Sequence, residues 1–189
     1  MNTSSQSESS AHESANPDGD GVRRIMEVLA TIPDPEMPIS ITDLGLVERV
    51  EVSEDGCVAI DILPTMIGCP ALAMIRDDIE KKIAEMEGMQ QVLVRFINDP
   101  PWSVDRISQS GREELRKFGV TVPGKDDSRP VDGPVELRTT APPKADREVS
   151  CPFCGSKNTR LDSPFGPTRC RMIYFCEECE NSFERMKRI

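Results

Sequence analysis

Two CxxC pairs near the carboxyl end constrain the fold of this chain more than any other feature. Cys151 and Cys154 form the first pair, and Cys176 and Cys179 form the second. Two thiolates three positions apart suit a tight turn, and two such knuckles facing each other supply a tetrahedral four-sulfur shell for a metal ion. A segment this short buries too little apolar surface to fold alone, so the metal supplies much of its stability. The spacing predicts a zinc-ribbon-like module over residues 150–189.

The residue types alone leave the metal and its full ligand set open. Zinc is the prediction, but iron in a rubredoxin-like four-sulfur site uses the same donors, and a [2Fe–2S] cluster is a weaker alternative. Cys170 is a fifth thiol nearby, either an alternative ligand or a packed residue. Four thiolates leave no open coordination position on zinc, so the site is interpreted as structural or docking in role, not hydrolytic.

Charge and cysteine distribution exclude several classes of function. The 189 residues carry a formal net charge of −10, whereas nucleic-acid binders use a basic surface, so no nucleic-acid partner is predicted. No apolar run reaches the roughly 18 residues that a membrane span needs, so no membrane partner is expected either. Paired CxxC spacing fits a reducing compartment and a metal site better than a disulfide framework, which predicts a cytoplasmic protein.

The rest of the chain divides by composition and hydrophobic period. Residues 1–20 are Ser-rich and include the sole histidine, His12. They lack large apolar side chains, which predicts a disordered tail. Residues 21–120 show the periods of helix, strand, strand, helix and strand, which predicts a small α-β-β-α-β layer sandwich of the α+β class. Residues 121–149 are rich in proline and charge and lose all periodicity, which predicts a linker.

Cys69 stands out because it directly precedes Pro70 between the second strand and the second helix. With Pro70 as the first helical residue, Cys69 is the N-cap, where its thiol meets unpaired amides and the positive end of the helix dipole. Both effects predict a lowered pKa and reactivity towards metals. The alternative is a small apolar residue that covers the helix start. Cys57, inside the second strand, is predicted to be core.

The residues from Asp34 to Val47 (DPEMPISITDLGLV), followed by Thr65 and Cys69-Pro70, resemble the MIP18 family, also called the domain-of-unknown-function-59 family. The resemblance implies a role in iron–sulfur cluster assembly or delivery, with Cys69 at the position of the family's reactive cysteine. We expect Asp34, Glu36, Asp43 and Thr65 to lie near the same edge of the sheet as this thiol. Of these, Asp34, Glu36 and Thr65 are expected to form a cluster- or metal-transfer loop with it. No catalytic residue is predicted.

The combination of this domain with the Cys-rich end is similar to the PaaD branch, the accessory subunits of phenylacetyl-CoA ring-1,2-epoxidase in aerobic phenylacetate catabolism. The resemblance implies an accessory protein and not an enzyme, with oxygenase or reductase components of that epoxidase, or iron–sulfur assembly proteins, as partners. It also implies transient iron or an iron–sulfur cluster at Cys69 beside the structural zinc, and a cysteine at the position of Cys170.

A different class of function remains open beside this one. The chain could be a structural or regulatory subunit of the assembled oxygenase that performs no transfer chemistry. A homodimer is a further expectation, since small α+β domains leave sheet edges exposed.

Overall fold

The computed structural model describes residues 17–124 and 149–188. Most of the predicted tail and linker, residues 1–16 and 125–148, therefore lies outside the described residues. The first module runs α1 (Pro17–Leu29), β1 (Val47–Val52), β2 (Cys57–Ile62), α2 (Ala71–Ala84) and β3 (Gln91–Phe96). The predicted α-β-β-α-β order is confirmed. Among the described residues, no helix combines the length and apolarity needed to cross a bilayer.

Strand β2 is the centre of a three-stranded sheet, antiparallel to β1 and parallel to β3. Parallel neighbours need a crossover, and α2 supplies it. Ile75, Ile79 and Ile83 recur at four-residue spacing and form the buried stripe of α2. Helix α1 contacts both β1 and α2, so the two helices cover the same face of the sheet.

The other sheet face carries an ion-pair network around one buried carboxylate. Asp61 alternates with Ile60 and Ile62 along β2 and therefore points away from the helices. Its side chain is only 2% exposed, and its carboxylate accepts hydrogen bonds from Arg95 Nε at 2.6 Å and Arg49 Nε at 3.1 Å. The hydrogen bond from Arg95 lowers the pKa of Asp61, so the carboxylate stays charged.

After β3 the chain forms a short 3₁₀ turn (Val104–Arg106), helix α3 (Gln109–Lys117) and strand β4 (Val120–Thr121). The indole of Trp102 is buried and donates a 3.0 Å hydrogen bond to the carbonyl of Leu44. This bond joins the segment to the loop between α1 and β1, residues 30–46, which we call the proline-rich loop.

The carboxyl-terminal module is a ribbon of β5 (Thr159–Ser163), β6 (Arg171–Cys176) and β7 (Ser182–Met186). Tyr174 and Phe183 stack in its core with ring centroids 5.7 Å apart. Strand β4 adds to this sheet in parallel with β7, in the order β4-β7-β6-β5. The ribbon is thus tied to the first module by main-chain hydrogen bonds, which cover what would otherwise be an open sheet edge.

Two boundaries differ from those the sequence predicts. Helix α1 begins at Pro17, inside the predicted tail, because proline fits the first turn of a helix. Thr121, assigned to the linker, lies instead in β4 and pairs with Arg185. That pairing joins residues far apart in the chain, so no periodic pattern in the nearby sequence indicates it.

Candidate functional site

The four predicted metal ligands come together at one end of the ribbon. The Sγ atoms of Cys151, Cys154, Cys176 and Cys179 all lie within 4.8 Å of one another. Two of these separations are 3.7 Å (Cys151 to Cys179) and 3.6 Å (Cys154 to Cys176). A tetrahedral shell with Zn–S bonds of about 2.3 Å places its sulfurs about 3.8 Å apart. The spacing therefore fits a zinc ion held by four thiolates.

Local hydrogen bonds shape both knuckles. In the first, the amide of Gly155 donates to the carbonyl of Cys151 at 2.9 Å. Gly155 has φ +76°, a left-handed conformation that glycine adopts without steric cost. In the second, the amide of Cys176, the last residue of β6, donates to the carbonyl of Asn181 at 3.0 Å. Both turns can be anticipated from the sequence because they close within a few residues.

Electrostatics of the bare thiols also favour a cation at this site. The amide of Ser156 favours the thiolate of Cys154, but desolvation and hydrogen bonds with the other three thiols outweigh it and raise the pKa of Cys154 to about 12. The Asn181 side chain, by contrast, lowers the pKa of Cys179 to about 7. Thiols this close cannot all ionise without a positive charge among them, and a divalent ion supplies it while releasing protons.

A second cysteine-containing feature is a groove of about 330 Å³ between the α+β module and the ribbon. Three of the predicted loop residues, Cys69, Glu36 and Thr65, line its first wall. The opposite wall is the ribbon loop that precedes β6, from Pro167 to Cys170. The sequence gives no sign that the ribbon forms part of this site.

Asp34 is not one of the residues that line the groove. Its carboxylate Oδ1 accepts the amide of Glu36 at 2.8 Å, an Asx turn that shapes the proline-rich loop. Desolvation raises the pKa of Asp34, and the amides of Glu36 and Met37 oppose this only in part. Asp34 thus positions Glu36, which is the carboxylate that faces the groove.

The position and ionisation of Cys69 differ from the sequence prediction. Helix α2 begins at Ala71 with Pro70 as its N-cap, so Cys69 lies one residue before the cap. Desolvation raises the pKa of the Cys69 thiol more than the Ala71 amide lowers it, and Glu36 adds to the increase. The predicted lowered pKa is therefore wrong. A protonated thiol here ionises when a metal cation displaces its proton.

Cys170, whose role the sequence left open, lies outside the four-sulfur group. It is 5% exposed and packs with the apolar core of the α+β module, and its Sγ lies 3.1 Å from Thr168 Oγ1. It also lines the groove opposite Cys69. No CxxC spacing marks it, and only the packing of the two modules brings it to the groove.

Arg171 is a functional candidate that sequence reasoning missed. It is 8% exposed, and its guanidinium donates to Glu184 Oε2 at 2.5 Å, to Thr168 Oγ1 at 2.9 Å and to the carbonyl of Glu36 at 3.5 Å. It thereby connects the ribbon loop to the proline-rich loop beside the groove. In the sequence it is one of many charged residues, with no signal of burial.

Two other residues marked by the sequence lie elsewhere. Cys57 is half-buried at the start of β2, with its Sγ 3.6 Å from Asp55 Oδ2, so its prediction as core is wrong. Asp43 accepts hydrogen bonds from Ser108 and Ser110 beside the start of α3, and those bonds lower its pKa. Asp43 serves the fold there and does not line the groove.

Comparison with known proteins agrees with this two-module organisation. Residues 23–94 match the model of the iron–sulfur cluster assembly protein family, and residues 137–187 match the PaaD zinc β-ribbon domain. An Escherichia coli protein, provisionally named as one of the subunits of 1,2-phenylacetyl-CoA epoxidase, is 36% identical over 88% of this chain and 92% of its own length.

Two further relatives match the first module. The Fe-S protein maturation auxiliary factor SufT of Staphylococcus aureus is 37% identical over 43% of this chain and 93% of its own length. A crystal structure of a domain of unknown function, DUF59, from Bacillus anthracis superposes with a TM-score of 0.50 at 28% identity, covering 52% of this chain and 93% of that one. The chain therefore belongs to the iron–sulfur cluster assembly (DUF59) family, in the branch that carries the PaaD zinc ribbon.

Proposed function

We propose that this chain is an accessory protein that helps to load the iron–sulfur or other metal centre of an oxygenase or reductase component of phenylacetyl-CoA epoxidase. Relatives of the first module are named as Fe-S protein maturation factors, and a full-length relative is named as a subunit of that epoxidase. The observation that carries the proposal is the position of Cys69, which lines an open groove together with the Glu36 carboxylate.

The chemistry of this groove suits metal handling better than catalysis. A thiol and a carboxylate are both metal ligands, whereas a Cys–His nucleophile needs a histidine. The sole histidine of the chain, His12, lies outside the described residues. Cys69 would hold iron or a cluster transiently, with Asp34 and Thr65 supporting its loop, and would release it to a client. We propose no catalytic activity for the chain itself.

The ribbon is proposed as the docking module. Its zinc site is closed, so its contribution is to shape a surface and not to carry cargo. Ile67, on one loop of the groove, is 76% exposed, and Phe165, just before the other loop, is 75% exposed. We propose that these two exposed apolar side chains contact a client. A client bound over them would place its own ligands at the groove. We place this function in the cytoplasm, where free thiols persist.

The test is to co-produce the epoxidase components with wild-type protein and with Cys69→Ser. We expect the variant to leave one component poor in iron, measured by elemental analysis and by the spectrum of its metal centre. Cys57→Ser is the matched control, because Cys57 is another half-buried free thiol that lies away from the groove. Equal iron loading with wild type and with Cys69→Ser would contradict the proposal.

The same experiment addresses a structural or regulatory subunit, the alternative function. Such a subunit would stay bound to the assembled oxygenase at fixed stoichiometry, and Cys69→Ser would change neither its binding nor the iron content. The buried packing of the ribbon on the α+β module gives the rigid body that this role needs. Retained binding with lost iron content would favour the maturation role.

A further inference from the structure

We infer that Cys69 and Cys170 together form a second metal site, a two-thiolate site in the groove for a single divalent, thiol-seeking ion. The inference rests on the proposed function, and it specifies the cargo there as one ferrous ion held by thiols from both modules. The site is distinct from the ribbon zinc, which uses the four other ribbon cysteines.

Placement of the two thiols is the first support for this site. Both line one groove, Cys69 on the loop before α2 and Cys170 on the ribbon loop before β6. They are close enough that the charge of Cys170 contributes to raising the pKa of Cys69. Neither thiol belongs to the four-sulfur group or to a disulfide. Two unpaired thiols facing one cavity can bind one ion between them, since soft sulfur donors select iron and zinc.

Rigidity on the ribbon side is the second support. The carbonyl of Cys170 accepts the amide of Lys187 at 2.8 Å, which joins its loop to the end of β7. Arg171 secures the same loop through Thr168 and reaches the carbonyl of Glu36 on the opposite wall. These contacts hold the loop that carries Cys170 against the first module, which favours a preorganised pair of ligands.

The coordination chemistry explains why such a site would release its ion. Two thiolates fill half of a tetrahedral shell. The remaining positions stay with water or with ligands from a client. On binding, the two thiols lose two protons to solvent as the ion forms two bonds to sulfur. On transfer those bonds break, the thiols are reprotonated, and the ion keeps its oxidation state.

The test uses cobalt(II) as the probe, added without oxygen to the full chain with zinc already in the ribbon. We expect wild type to bind one further cobalt ion with thiolate-to-cobalt charge-transfer absorption. Cys69→Ser and Cys170→Ser should each weaken this binding by at least about tenfold, since even changes outside a ligand shell cost that much. Cys57→Ser should bind as wild type does.

Because Cys170 is nearly buried, Cys170→Ala is the second variant, and it leaves no unpaired hydroxyl in the core. It should lose the cobalt site while retaining one zinc and a cooperative unfolding transition. Cobalt binding that is unchanged in both Cys170 variants would overturn the inference. So would a loss of cobalt that occurs only together with loss of the ribbon zinc.

These outcomes separate the shared site from the proposed function. Suppose that Cys69→Ser impairs iron loading of the client while the Cys170 variants bind cobalt as wild type does. That result would refute the shared site and support the maturation role. Cobalt binding that needs both thiols, with client loading equal in all variants, would establish the site and refute that role.

Discussion

Replacing Arg171 with methionine tests how the ribbon is held against the α+β module. Methionine keeps an unbranched apolar stem in the same space but removes the charge and all three hydrogen bonds of the guanidinium. Arg171 is 8% exposed, whereas its ion-pair partner Glu184 has a side chain that is 25% exposed. The variant therefore leaves a carboxylate that water can partly reach.

The expected loss of stability follows from this difference in burial between Arg171 and Glu184. Breaking a fully buried pair costs about 3–5 kcal/mol, and a hydrogen bond to a charged group contributes about 1.5–3 kcal/mol. Because Glu184 regains some hydration, we expect Arg171→Met to lower the free energy of unfolding by about 2–3 kcal/mol. The assay is urea unfolding of the zinc-loaded protein, followed by Trp102 fluorescence in the first module and by zinc release from the ribbon.

Arg160→Met is the matched control, because Arg160 lies in the same ribbon and pairs with Asp162 and Glu177 at 2.7 Å each. Its side chain is 53% exposed, so solvent screens those pairs and the loss should be far smaller. If both variants lowered the free energy of unfolding equally, burial of Arg171 would not explain its contribution to stability. A shift in the zinc-release transition without one in Trp102 fluorescence would show that Arg171 does not couple the modules.

The fold supports three more predictions. Chelating the ribbon metal should abolish the near-UV circular dichroism of Tyr174 while the helical far-UV signal persists, since the metal-free ribbon has too small a core. Asp61→Asn should lower the free energy of unfolding by about 1 kcal/mol at neutral pH, a modest loss because the arginine partners are partly exposed. Because the hydrogen bond from Arg95 lowers the pKa of Asp61, the difference in unfolding free energy between wild type and variant should shrink as acid protonates the wild-type carboxylate. A difference in urea unfolding that does not change with pH would contradict this. Gly45→Ala should lower the free energy of unfolding by about 2 kcal/mol or more, because Gly45 has φ +73° and the new Cβ would lie 2.6 Å from Arg106. A urea unfolding midpoint equal to that of wild type would contradict this prediction.

Local patterns in the sequence were enough to predict the first module and the zinc ligands. The helices and strands follow from the spacing of apolar residues, which packing on one sheet face enforces. The four ligands follow from two CxxC turns whose geometry is set within a few residues. The motif around Cys69 likewise indicated the family. In each case the signal and the structure it predicts occupy the same short stretch of chain.

Only the tertiary structure decided what surrounds Cys69. Its raised pKa depends on desolvation and on neighbours such as Glu36 and Cys170, whereas its place at a helix start predicted the opposite sign. The burial of Arg171 and its hydrogen bonds between the two modules could not be predicted from the sequence either, since charged residues are normally exposed. The sequence by itself determined that this chain carries a closed four-cysteine site and a lone thiol beside a helix. The pairing of β4 with β7 and the packing of the ribbon brought Cys170 to the groove that Cys69 lines. Contacts between such distant segments depend on how whole modules dock, so they leave no periodic pattern in the sequence.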